Sequence, residues 1–198
     1  ALQEFLNEQN DEITRDILGY QIQNNLQDFD FKEDWQLSQF WYDDETSHTL
    51  AKAAVAVAGR TGKIALISCP SLYKHIRLID ETLEVALLEY DRRFALFGKD
   101  YIYYDYNFPL NLDRQLNSRY DIVILDPPFL SEECLTKSAT SAKFLAKDKI
   151  ILCTGTIMEG LAKQVLNVTR SQFVPRHTNN LANEFSCFTN YNFDEYLG

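Results

Sequence analysis

The chain has little with which to span a membrane, cross-link itself or bind a nucleic-acid backbone. None of its 198 residues falls in an uninterrupted apolar run of about 18, the length a bilayer-spanning helix requires. Residues 1–10 carry Glu4 and Glu8 and no apolar stretch, so no secretory signal is expected there. The four cysteines, Cys69, Cys134, Cys153 and Cys187, lie far apart without a CxxC pair, and only three histidines accompany them. That spacing argues against a zinc site and for small buried thiols in a reducing cytoplasm. Nineteen basic residues stand against 29 acidic ones, a net charge of −10. Neutralising phosphates supplies much of the affinity of nucleic-acid binders, so this balance disfavours a DNA or RNA duplex and favours a basic or neutral partner. Glycine is scarce as well. None occurs between Lys63 and Phe97, so there is no GxGxxG turn after the first apolar strand and no sign of a nicotinamide dinucleotide site.

What is present falls into three stretches. In residues 1–62, apolar positions Leu2, Phe5 and Leu6, then Ile13, Ile17 and Leu18, recur at helical spacing. Residues 28–36 read as an acidic, aromatic connector. A further helix is expected over 46–58, with Thr46 or Ser47 as N-cap and Gly59 as stop. From Lys63 the pattern changes to short continuous apolar runs at 64–69, 85–89, 101–106, 122–125 and 150–153. Helical stretches alternate with them at 71–80, 110–116, 132–146 and 156–167. Continuous apolar strands alternating with helices predict a doubly wound α/β sheet, parallel and covered on both faces. The tail pairs two β-like segments, 172–176 and 185–191, across a polar loop too short for a parallel crossover, so an antiparallel hairpin is expected there. The reading is one domain: residues 1–62 form a helical N-terminal extension and residues 63–198 a Rossmann-like core of seven strands, mostly parallel with an antiparallel C-terminal strand.

Chemistry concentrates at strand ends. Asp126-Pro127-Pro128-Phe129 follows the apolar run 122–125 directly. Two prolines fix φ twice and remove two N–H donors, so the loop offers acceptors, the Asp126 carboxylate and the Pro127 carbonyl, beside an aromatic ring at Phe129. Such a loop can hold an amine with its lone pair aimed at an electrophilic carbon; a plain rigid turn is the bland alternative. After the first strand, Cys69, Pro70 and Ser71 lead into a helix whose N-terminal amides can approach a ligand. Glu89, with Tyr90 beside it and Asp91 as the neighbouring alternative, stands where an acid meets ribose hydroxyls in nucleoside-binding sheets. Asp105 and Tyr106 follow the third strand and suit an adenine ring, although tyrosines also pack sheet edges. Trp41 and Tyr42, within Gln39-Phe40-Trp41-Tyr42, are either a core plug or a lid over substrate. His177 and Asn183 lie in the polar loop between the last two β-like segments, near the loop at Asp126.

These strings together resemble one eukaryotic family. The motifs Gln39-Phe40-Trp41-Tyr42, Glu89-Tyr90-Asp91, Tyr104-Asp105-Tyr106-Asn107, Asp126-Pro127-Pro128-Phe129-Leu130-Ser131, Leu152-Cys153-Thr154-Gly155 and Phe173-Val174-Pro175-Arg176-His177 are similar to those of the elongation factor 1-alpha lysine methyltransferase 1 family, once named N6-adenine-specific DNA methyltransferases. The resemblance runs from about Gln39 to Tyr191. It implies a class I fold, S-adenosylmethionine as methyl donor and a lysine of translation elongation factor 1-alpha as acceptor. By the same resemblance Asp126, Pro127 and Phe129 are the amine-binding loop. Relatives usually carry Tyr at the Phe129 position, which implies that no hydroxyl is needed there. The rival reading is an adenine methyltransferase acting on DNA or RNA, since the same loop serves exocyclic amines. No metal is expected.

Overall fold

The computed structural model describes residues 32–197. The helical periodicity expected from Leu2 to Leu18, and the first part of the connector at 28–36, lie outside the described residues. Seven strands form one sheet: β1 (Lys63–Ile67), β2 (Glu84–Glu89), β3 (Tyr101–Tyr103), β4 (Tyr120–Leu125), β5 (Ala146–Gly155), β6 (Thr169–Arg170) and β7 (Phe185–Thr189). Their spatial order is β3-β2-β1-β4-β5-β7-β6. The first five run parallel, whereas β7 is antiparallel to both β5 and β6.

Alternation along the central strands sorts their side chains onto two covered faces. Ile64, Leu66, Val85, Leu87, Ile122 and Ile124 pack under α1 (Asp44–Ala58) and α2 (Ser71–Ile79), joined by Phe193 near the C-terminus. Ala65, Ile67, Ala86, Leu88, Val123 and Leu125 pack under α3 (Glu132–Leu145) and α4 (Glu159–Leu166). Apolar residues at both odd and even positions are what a strand buried on two sides requires, which is why these segments read as unbroken apolar runs. The chain winds outward from β1 to β3, then returns beside β1 as β4. That reversal opens a crevice at the carboxyl ends of β1 and β4, where sheets of this kind bind ligands.

Four expectations need correction. The N-cap of α1 is Asp43, whose Oδ1 accepts from the Thr46 amide at 2.8 Å. Thr46 and Ser47 are buried inside the first turn, and the Thr46 hydroxyl instead accepts from the Arg176 amide at 2.9 Å. Gly59 does end this helix, at φ 70°. Residues 110–116 contribute only a short 3-10 turn, Arg114–Leu116, since so brief a segment cannot offset the cost of nucleating a helix. The third strand stops at Tyr103 rather than 106, whereas the fifth extends to both sides of 150–153. The edge strand β6 precedes 172–176, the segment expected to pair. Pro175 cannot donate to a ladder, and the backbone there is satisfied elsewhere: the Arg176 carbonyl accepts from Asp43 at 2.9 Å and His177 bridges Tyr42.

Candidate active site

The carboxyl ends of β1, β2 and β4 open into a cavity of about 650 Å³, within the range of sites that enclose a cofactor-sized ligand. One wall begins where β1 ends. Ser68 takes a left-handed conformation, φ 56°, and its amide donates to the Leu88 carbonyl at 2.9 Å. A left-handed non-glycine residue costs about 1–2 kcal/mol. Ser68 therefore makes the sharp turn for which no glycine is available, and it lets Cys69, Pro70 and Ser71 line the cavity at the N-terminus of α2. The positive end of that helix faces the ligand space.

Glu89 closes β2 and is almost fully buried. Its Oε1 accepts from the amides of Tyr90 and Asp91 at 2.9 and 3.2 Å, while Oε2 takes no hydrogen bond among the described residues. Burial, with the charge of Asp91 adding to it, pushes its pKa up to about 7 against those two bonds. Asp91, the alternative ribose acid, is spent on the protein itself: Gln39 Nε2 donates to it at 2.8 Å, and Arg93 donates from both its amide and Nε. Asp105 caps the turn after β3 through the Asn107 amide at 2.9 Å, and Tyr106 meets Phe129 edge to face at 5.9 Å.

The Asp126 loop forms the opposite wall. The Asp126 amide continues the sheet by donating to the Ile67 carbonyl at 3.0 Å, after which Pro127 turns the chain under the cavity. Oδ2 of Asp126 accepts from the Tyr42 hydroxyl at 2.7 Å. Oδ1 accepts no hydrogen bond among the described residues. Burial raises the Asp126 pKa to about 7; the Tyr42 bond opposes this and the charge of Glu89 adds to it. Phe129 is half exposed at the mouth.

Of the residues singled out from the sequence, the structure brings all but the alternative acid Asp91 to this one cavity, Trp41, Tyr42, His177 and Asn183 included. Three of those arrive in roles the sequence did not reveal. Tyr42 is buried against Asp126. His177 is wedged between the rings of Tyr42 and Phe185, at 5.1 and 4.7 Å, and burial lowers its pKa, so it packs as a neutral imidazole. Asn183 sits exposed on the rim. The Gln39–Asp91–Arg93 network and the Tyr42–Asp126 bond were missed altogether. Their partners are 52 and 84 residues apart, and the only sequence signal was the aromatic cluster at 40–42.

A sheet of order 3-2-1-4-5-7-6 with an antiparallel seventh strand, and a ligand cavity at the carboxyl ends of β1, β2 and β4, defines a class I methyltransferase. The chain is 50% identical over 194 residues to the EEF1A lysine methyltransferase 1 of Gallus gallus, covering 96% of this chain and 90% of the relative. It is 49% identical over 193 residues to that of Homo sapiens, covering 96% and 88%. The family model described as "Probable N6-adenine methyltransferase" matches residues 33–193. The chain belongs to this family, the EEF1A lysine methyltransferase 1 proteins and their relatives. The fold is also that of the PH0226 protein of Pyrococcus horikoshii OT3, at a TM-score of 0.53 and 12% identity over 81% of this chain and 99% of that one.

Proposed function

We propose that this protein is an S-adenosylmethionine-dependent protein-lysine N-methyltransferase acting on translation elongation factor 1-alpha. One observation carries the choice of acceptor. The cavity wall presents three carboxyl side chains, Glu89, Asp105 and Asp126, and no lysine or arginine among the described residues. Such a wall offers acceptor oxygens to an amine and no counter-charge to the phosphates that an adenine base brings with it. The substrates named for the family's curated relatives agree with a lysine.

The residues present fit the methyl donor. The free Oε2 of Glu89 suits vicinal ribose hydroxyls, Asp105 with Tyr90 and Tyr106 suits a purine, and the amides at the start of α2 suit a carboxylate. When bound, the donor supplies an electrophilic methyl on a sulfonium, and the rest of the reaction is positioning. Asp126 Oδ1 and the Pro127 carbonyl accept the N–H groups of the incoming amine and leave its lone pair pointing away from the protein. Trp41, His177 and Phe129 exclude water from its stem, with Asn183 at the rim. A lysine has an ordinary pKa of about 10.4, so its ammonium must lose a proton to water before attack; desolvation in the closed site favours that loss.

Incubation with labelled S-adenosylmethionine and, in parallel, purified elongation factor 1-alpha, duplex DNA and RNA tests the proposal. Label is expected on the protein alone, and mass spectrometry then locates the lysine. Label on adenine of either nucleic acid would reverse the assignment.

A further inference from the structure

Tyr42 belongs neither to the Asp126 loop nor to the sheet, yet it makes the one side-chain hydrogen bond that Asp126 receives among the described residues. The segment that carries it is fixed along its length. The Trp41 amide donates to Glu33 Oε1 at 2.7 Å, and the Trp41 carbonyl accepts from Thr178 at 2.9 Å. The Tyr42 carbonyl accepts from the Thr178 hydroxyl at 3.3 Å, and Asp43 is tied to Arg176 and caps α1. The ring is 4% exposed and packs against His177. The hydroxyl is therefore delivered to one point from a rigid mount.

That point decides how a carboxyl can treat an amine. An ionised carboxylate is acceptor-only, whereas a protonated one carries an O–H that hydrogen-bonds to the very lone pair needed for attack. We propose that Tyr42 is a positioning residue for the methyl transfer: by donating to Oδ2 of Asp126 it holds the carboxyl as an acceptor and reserves Oδ1 for the substrate amine. This rests on the proposed reaction at Asp126. Groups that face Asp126 from the packed elements give it no other support. Glu89 at the end of β2 is a like charge; Cys69 after β1 and Cys134 on α3 are thiols that burial keeps neutral, and Cys153 on β5 is kept so by its hydrogen bond with Cys187 and by burial. Tyr42 itself remains a phenol, because burial and the charge of Asp126 push its pKa well above the ordinary value. It is a donor at every pH the protein meets.

The test reads Asp126 directly. Protein labelled with 13C at the aspartate carboxyls is titrated by NMR, with the Asp126 signal assigned by its loss in Asp126→Asn. In Tyr42→Phe the midpoint should rise by about one pH unit, the worth of one hydrogen bond to a charged acceptor. The acid limb of kcat/KM for lysine methylation should move up with it, while cofactor affinity stays within about twofold. The remaining aspartate signals report whether the variant is folded. If it is not, 3-fluorotyrosine in place of Tyr42, a stronger donor of nearly the same size, should lower the midpoint instead. An unmoved midpoint with activity lost evenly across pH would overturn the proposal and leave Tyr42 as packing. Because the midpoint is measured without substrate, it separates the two ideas: a wild type that leaves the elongation factor unmethylated sinks the enzymatic reading, whatever Tyr42 does to Asp126.

Discussion

Among the described residues, two buried tyrosine–aspartate pairs have the same length and opposite surroundings. Beneath α2, the Tyr73 hydroxyl donates to Asp100 Oδ2 at 2.7 Å, as Tyr42 does to Asp126. At Asp100, however, the Arg77 guanidinium forms an ion pair with the same oxygen and also donates to the carbonyls of Glu81 and Leu83. Charge and donors balance, and the cluster is closed. Among the described residues no cation pairs with Asp126; the charge that acts on it is a second acid, Glu89, and the space in front is a cavity. Burying an unpaired carboxyl is costly, and a fold has no structural reason to accept the cost twice in one place. The difference separates an interaction that closes on the fold from one left open to a cavity, as the proposed amine-binding role of Asp126 requires.

The comparison breaks most visibly at the closed cluster. Arg77→Met leaves Asp100 buried without its counter-charge and should destabilise the chain by about 3–5 kcal/mol. Urea titration measures it, and the turnover of whatever fraction remains folded should be near wild type. The reverse pattern is expected at the open pair. Asp126→Ala should lower turnover at least ~100-fold, about 2.7 kcal/mol of positioning, with cofactor affinity kept. If Asp126→Ala instead unfolded the chain and retained its specific activity, the two clusters would have been assigned the wrong way round.

The open pair also has a pH signature. Asp126 and Glu89 both titrate near 7 in the folded chain, against about 4 when unfolded. Between those values the folded chain keeps protons that the unfolded chain has released. Stability from these groups is thus full below about pH 4 and is lost as pH rises through 7, at no more than about 1.4 kcal/mol per pH unit for each carboxyl. Melting temperatures of the ligand-free protein should therefore fall more steeply from pH 5 to 8 than those of Asp126→Asn or Glu89→Gln. Equal slopes would mean that these carboxyls ionise as they would in water.

Much of this organisation was legible in one dimension. Five apolar runs broken by helical stretches are what a two-sided parallel sheet demands, and Asp126 to Phe129 announced itself because two prolines after a strand leave only acceptors. The site was legible as a set of strand ends, because in such a sheet the carboxyl ends converge by topology. Its wiring was not. Whether Glu89 or Asp91 faces the ligand depends on Gln39 and Arg93, which arrive from elsewhere in the chain to occupy Asp91. The turn at Ser68 was hidden because only glycine advertises a left-handed residue in a sequence. The edge strand was misplaced because β-like composition at 172–176 says nothing about which backbone it will bond, and here the partners are Asp43 and Thr46.

The smallest effect is expected where two aromatic positions of the site, Tyr42 and Phe129, diverge. Tyr42 keeps its hydroxyl buried on Asp126; Phe129, in the loop itself, has none, and its ring lies half exposed with its edge toward Tyr106. A hydroxyl added at the Phe129 para position meets solvent or the cavity mouth and relieves no unpaired group, so Phe129→Tyr should alter kcat/KM by less than about threefold, under ~0.7 kcal/mol. Phe129→Ala removes the ring that screens the amine from water and should cost more, about tenfold, mostly in KM if the ring contributes equally to ground and transition states. Ranking Tyr42→Phe, Phe129→Ala and Phe129→Tyr in one assay asks whether the aromatic groups act through a hydroxyl or through a face. A gain of tenfold or more in Phe129→Tyr would place a second donor in the reaction and remove Tyr42 from its singular position.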